Sequence, residues 1–89
     1  MLIAPTIDVR DRIPEEIIRE LISRVSVQFK PLRIILFGSY ATGNARPESD
    51  VDLLIIMNTT KRESIQALEI RQAIQPMFAV DFIVITPEN

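Results

Sequence analysis

Apolar residues recur along this chain with two different periods. Over residues 14–29, Ile17, Ile18, Leu21, Ile22, Val25 and Phe29 fall at helical spacing and give one apolar face. Pro14 suits a first helical turn, Glu15 and Glu16 suit the positive end of the helix dipole, and Pro31 ends the helix. Three short β-branched runs then read as buried strands: "LRIILF" at 32–37, "VDLLIIM" at 51–57 and "AVDFIVIT" at 79–86. Between the last two, Asn58-Thr59-Thr60 breaks the pattern. Thr60 and Glu63 there have capping-box spacing for a helix over about 61–75, ended by Pro76. That helix is expected to bury Ile65, Leu68, Ile70 and Ile74. Residues 1–12 are expected to form an arm or a short edge strand around Ile7 and Val9. The order implies one domain over 1–89 of the α/β (α+β) class: a small mixed sheet with helices packed on one face.

Composition narrows the chemistry. The chain has 89 residues, and a domain of this size buries only roughly 60–65% of the surface its unfolded chain exposes. With ten basic and twelve acidic residues the net charge is −2, so no extensive nucleic-acid surface is expected. There is no cysteine and no histidine. This removes disulfides, thiolate nucleophiles, Cys/His zinc sites and Ser-His-Asp chemistry together. Any metal must be a hard cation on oxygen ligands. No run approaches the roughly 20 apolar residues of a membrane span, and the start lacks signal-peptide character, so a cytoplasmic location is expected.

The informative stretch is "ILFGSYATGNARPESDVDLLIIM", residues 35–57. Asp50 and Asp52 stand two apart at the start of a strand, so they project from one face. At 4 Å two carboxylates repel by about 1 kcal/mol in water and about 4 kcal/mol at an effective dielectric of 20. A bound divalent cation turns that cost into an attraction. Asp81 interrupts the third apolar run, and it joins the other two acids if its strand lies beside theirs. Three such carboxylates suit Mg²⁺ or Mn²⁺, with coordination left for water and substrate phosphates. Gly38 permits a sharp turn and close backbone approach, and Ser39, capping a short helix, can face an anion. Together these describe a nucleoside triphosphate site with two metal ions.

Gly38-Ser39, ten residues, then Asp50-Val51-Asp52 resembles the Gly-Ser-x₁₀-Asp-x-Asp signature of the DNA polymerase β-like nucleotidyltransferases. The longer match, "GSYATGNARPESDVDLLI", looks most like the minimal nucleotidyltransferases, many of them antitoxins paired with HEPN-domain toxins. The resemblance implies the minimal polymerase β-like fold. It implies that Gly38 and Ser39 bind nucleotide phosphates, that Asp50 and Asp52 hold both metals, and that Asp81 completes the catalytic metal site and receives the acceptor's proton. Gly43 would shape a second turn and Ser49 would orient the following acid. Many relatives carry arginine where this chain has Thr42, and Arg46 is the candidate replacement at the phosphates.

Nearly every residue is spent on this layer, so the acceptor is expected to be small or to arrive on another chain. The resemblance therefore implies transfer of AMP from ATP to a partner hydroxyl, the partner being a HEPN-type toxin, within a homo- or hetero-oligomer. Two alternatives stand beside it: an antitoxin that acts by binding alone, and an antibiotic-modifying nucleotidyltransferase. Arg71, with the "KRES" charges, is expected on a solvated helix face, and Tyr40 is expected to pack.

Overall fold

The computed structural model describes residues 12–88, so the expected arm or edge strand at the start lies outside the described residues. The elements are α1 (Glu15–Phe29), β1 (Arg33–Phe37), α2 (Ser39–Thr42), β2 (Val51–Ile56), α3 (Glu63–Ile74) and β3 (Val80–Ile85). Pro14 is extended at the start of α1, and its carbonyl accepts the N–H groups of Ile17 and Ile18. Lys30, in the left-handed region with φ 49°, ends α1 ahead of Pro31. Gln75 ends α3 in the same way with φ 51°, ahead of Pro76. Both α1 and α3 are thus closed by a left-handed residue and kept closed by the proline that follows.

The sheet has strand order β1-β2-β3, with β1 antiparallel and β3 parallel to the central β2. It is the expected mixed sheet. In β2 the alternation is strict: Val51, Leu53 and Ile55 are wholly buried, while Asp52, Leu54 and Ile56 lie on the other face. Val80, Phe82 and Val84 of β3 join the buried set, and Ile34 and Leu36 of β1 pack against it. Ile18, Leu21 and Val25 of α1, with Ile70 and Ile74 of α3, complete the core. Among the described residues, helices therefore cover one face alone, so the three runs are half-buried strands rather than fully buried ones.

The start and phase of α3 differ from expectation. The helix begins at Glu63 with Arg62 before it, and no side chain caps it. Thr59 rather than Thr60 does the local bonding: its hydroxyl accepts the Lys61 N–H and donates to Gln66 Oε1. The Glu63 carboxylate, instead of closing a capping box, accepts the Thr86 N–H at the end of β3. Gln66, Ile70 and Ile74 form the inward stripe, leaving Ile65 and Leu68 about half exposed. A polar residue tolerates that inward place because its amide is satisfied, accepting from Thr59 and donating to Glu69. Among the described residues, no helix is long and apolar enough to cross a membrane.

Candidate active site

Chain direction brings the site residues to one end of the sheet. The antiparallel β1 finishes where β2 and β3 begin. Asp52 lies opposite Phe37 on one side and opposite Asp81 on the other. Register partners in adjacent strands share a face, so both carboxylates stand on the uncovered face. Asp81 is therefore exposed, and the apolar run around it needs no buried acid. Asp50, also exposed, lies just before β2.

Gly38 links the end of β1 to α2 with φ 76° and ψ −154°, a region open essentially to glycine alone. A second constraint acts at the same residue. A Cβ on Gly38 would lie 2.2 Å from Asp52 Oδ2, inside any tolerable contact. The glycine that turns the chain is thus also the space into which the carboxylate leans. The acid is drawn against the turn by this absence of a side chain.

Ser39 is the first residue of α2 rather than its cap; Gly38 holds the cap position. The Ser39 carbonyl gathers the N–H groups of Gly43 and Asn44 and the Thr42 hydroxyl. Thr42 in turn accepts from the Asn44 amide, so it serves the end of this short turn. Gly43 has φ 82° and open space beside it, and it supplies the second turn. Ser49 and Arg46 exchange hydrogen bonds, Arg46 N–H to Ser49 Oγ and Ser49 N–H to the Arg46 carbonyl, each 2.9 Å. This closes the loop immediately before Asp50. The Arg46 residue itself is exposed.

Burial against the turn pushes the Asp52 carboxyl above the ordinary carboxylate range, and the negative charges of Asp81 and Asp50 push it further the same way. Three acids thus share one electrostatic neighbourhood. Among the described residues no group of three such side chains forms a ready cage for a metal ion. The donor chemistry nonetheless suits Mg²⁺, which is usually held by one or two carboxylates plus substrate phosphates rather than by an all-protein cage. Asp52 and Asp81 would be that pair of hard oxygen donors, with Asp50 beside them.

Two residues do more than their sequence context suggested. Tyr40 packs as expected, and its hydroxyl also accepts the Ile13 N–H at 3.0 Å, tying the approach to α1 onto the glycine-serine turn. Arg71 is exposed, as expected of a solvated helix face, and it also donates to the Val80 carbonyl and lies over the Phe82 ring, 5.2 Å from its centroid. A cation in the last turn before an edge strand was the available signal. A cavity of about 710 Å³ lies between α1 and α2, lined by Ile13, Ile18, Ile22, Leu36 and Tyr40. It opens on the helical side and none of the three acids lines it, so the acid end of the sheet is the better candidate for chemistry.

A family model of the nucleotidyltransferase domain matches residues 16–89. The chain belongs to that family. A protein of Methanocaldococcus jannaschii, named for a proposed protein adenylyltransferase activity, is 50% identical over 44 residues. The match takes in 47% of this chain and 44% of that protein, so it spans less than half the relative's length. The crystal structure of a proposed nucleotidyltransferase from Sulfolobus solfataricus superposes with a TM-score of 0.64. It does so at 23% identity, over 82% of this chain and 67% of that one, and so shows a common fold. This nucleotidyltransferase domain therefore has the α+β architecture expected of it, built on a three-stranded sheet.

Proposed function

We propose that this nucleotidyltransferase domain is a metal-dependent enzyme that moves AMP from ATP onto a hydroxyl of a partner protein, acting as the antitoxin of a HEPN-type toxin. The observation that carries the reading is the pairing of Asp52 with Asp81 across β2 and β3, with Gly38 yielding its side-chain space to Asp52. A carboxylate pair held on an open face, beside a glycine turn, is a cost to a small fold unless a cation and phosphates use it.

Asp52, Asp50 and Asp81 would hold Mg²⁺. When bound, the ion would neutralise phosphate charge and lower the proton affinity of the attacking oxygen. The turn from Gly38 to Gly43 would receive the phosphates, with Ser39 at its front. The acceptor oxygen then forms a bond to the α-phosphorus, the α–β phosphoanhydride breaks, and pyrophosphate leaves. Asp81, the more exposed acid of the paired two, would take the hydroxyl proton. The open face gives a partner's hydroxyl room to approach. The name of the M. jannaschii relative supports a protein acceptor.

The test is label transfer in the presence of Mg²⁺. The purified chain is incubated with co-expressed partner and ATP labelled at either the α- or the γ-phosphate. A protein band labelled from the α position alone, and lost with Asp52→Asn, is the expected result. A binding-only antitoxin is the second reading, favoured by the exposed Ile65, Leu68 and Met77 as contact residues. Under that reading Asp52→Asn still neutralises the toxin and no band forms with any nucleotide.

A further inference from the structure

Val80, Asp81 and Phe82 open β3, the edge strand among the described residues, and one side chain from α3 holds both neighbours of the acid. Val51 N–H donates to the Ala79 carbonyl and Met57 N–H to the Ile85 carbonyl. Carbonyls alternate along a strand, so the Val80 carbonyl points away from β2 toward the open edge. There it would be left to water or to a competing strand. The Arg71 guanidinium takes that carbonyl as acceptor and also lies over the face of the buried Phe82 ring. Arg71 therefore grips the residue before Asp81 by its backbone and the residue after it by its side chain.

We infer that Arg71 is a positioning residue for the nucleotidyl-transfer site, acting through Asp81. This rests on the role proposed above for Asp81. The physical reason is register. A slip of one residue in β3 would turn Asp81 into the apolar core and bring Phe82 or Val80 onto the open face. Asp81 itself favours the open face, but strand edges fray, and Asp81 is the second residue of its strand. Arg71 closes that end. Its planar fork can donate in its own plane while stacking on the ring, which a lysine ammonium cannot do. The residue thus keeps the third carboxylate opposite Asp52 without touching substrate.

The test compares Arg71→Ala and Arg71→Lys with the parent chain by amide hydrogen exchange and by steady-state transfer. Exchange is expected to accelerate at the Asp81 N–H, which faces β2, in Arg71→Ala while residues 53–55 of β2 keep their protection. Turnover is expected to fall by about 10–100-fold, the range for residues that orient metal-holding groups. The nucleotide KM is expected to stay within about twofold, since the phosphate turn is untouched. The concentration of Mn²⁺ needed for half-maximal transfer should rise, and Arg71→Lys should recover part of both losses. Unchanged exchange at the Asp81 N–H, or equal loss of protection throughout β2 and β3, overturns the proposal. So does unchanged turnover in an active parent. If the parent transfers no nucleotide at all, the proposed function fails, and exchange at the Asp81 N–H still decides whether Arg71 clamps this end of β3. Should Arg71→Ala not fold, the same comparisons are made on Arg71→Lys.

Discussion

Leu53 and Leu54 are neighbours in the same strand and belong to different proteins in all but covalent chemistry. Leu53 is wholly buried beneath α1 and α3, among Val51, Ile55 and Phe82. Leu54 lies on the uncovered face with Asp52, Asp81 and Ile83, and water reaches it. One face of the sheet is filled and uniformly apolar; the other is open, and acids interrupt its apolar rows at one end. The lesson is a division of labour by strand parity. Odd residues of β2 hold the fold together, and even residues are free to carry charge that the fold alone would not choose.

Truncating the two leucines is the strongest test of that division. Leu53→Ala should cost about 2–5 kcal/mol through lost burial and a residual cavity. This is a large share of the roughly 5–15 kcal/mol that holds a typical domain. Leu54→Ala should cost no more than about 1 kcal/mol, and urea unfolding of the two variants measures the difference. Equal costs would mean that the open face is covered after all.

Gly38→Ala probes the joint between the faces. The positive φ costs about 1–3 kcal/mol for a residue with a side chain. The added methyl must also evict the Asp52 carboxylate. Transfer activity should therefore collapse while the chain still folds, as judged by circular dichroism alongside the label assay.

A smaller effect has the opposite sign. Asp52 is held above the ordinary carboxylate range, first by burial and then by Asp81 and Asp50. A raised carboxyl favours the protonated fold, so its benefit is present below the unfolded-state value and is lost as pH rises through the folded one. Above that point its ionisation costs stability. Asp52→Asn should then raise the melting temperature slightly in metal-free buffer near pH 7. The advantage should vanish in acid, and scans at both pH values check the sign. Least of all, Ile65→Gln on the outward side of α3 should change stability by no more than about 0.5 kcal/mol.

Much of this was legible before the structure. Two periods marked the helices and strands, and the spacing of Asp50 and Asp52 placed them on one face. The pairing of Asp52 with Asp81 required only that β2 and β3 be neighbours. What was not legible depended on distant partners. The apolar residues of α3 do not by themselves say that Gln66 faces inward, because the hydrogen bonds that allow it come from Thr59 and Glu69. Nor does a Gly-Ser pair reveal that Asp52 fills the glycine's empty side-chain position. Arg71 is the surface charge it looked like, but its second task was hidden because the carbonyl it holds lies nine residues away across a turn.

The strand order also imposes a sequence in time. Gly38 and Asp52 belong to one hairpin of neighbouring residues, whereas Asp81 arrives only after α3 has carried the chain back across the sheet. A ribosome finishes the glycine turn and the first two carboxylates a whole helix before it adds the third. A nascent chain that stops short of Val80 lacks the third strand and leaves Asp52 without the acid that faces it across the sheet. The acid pair and the finished sheet are born together, and an incomplete product has neither.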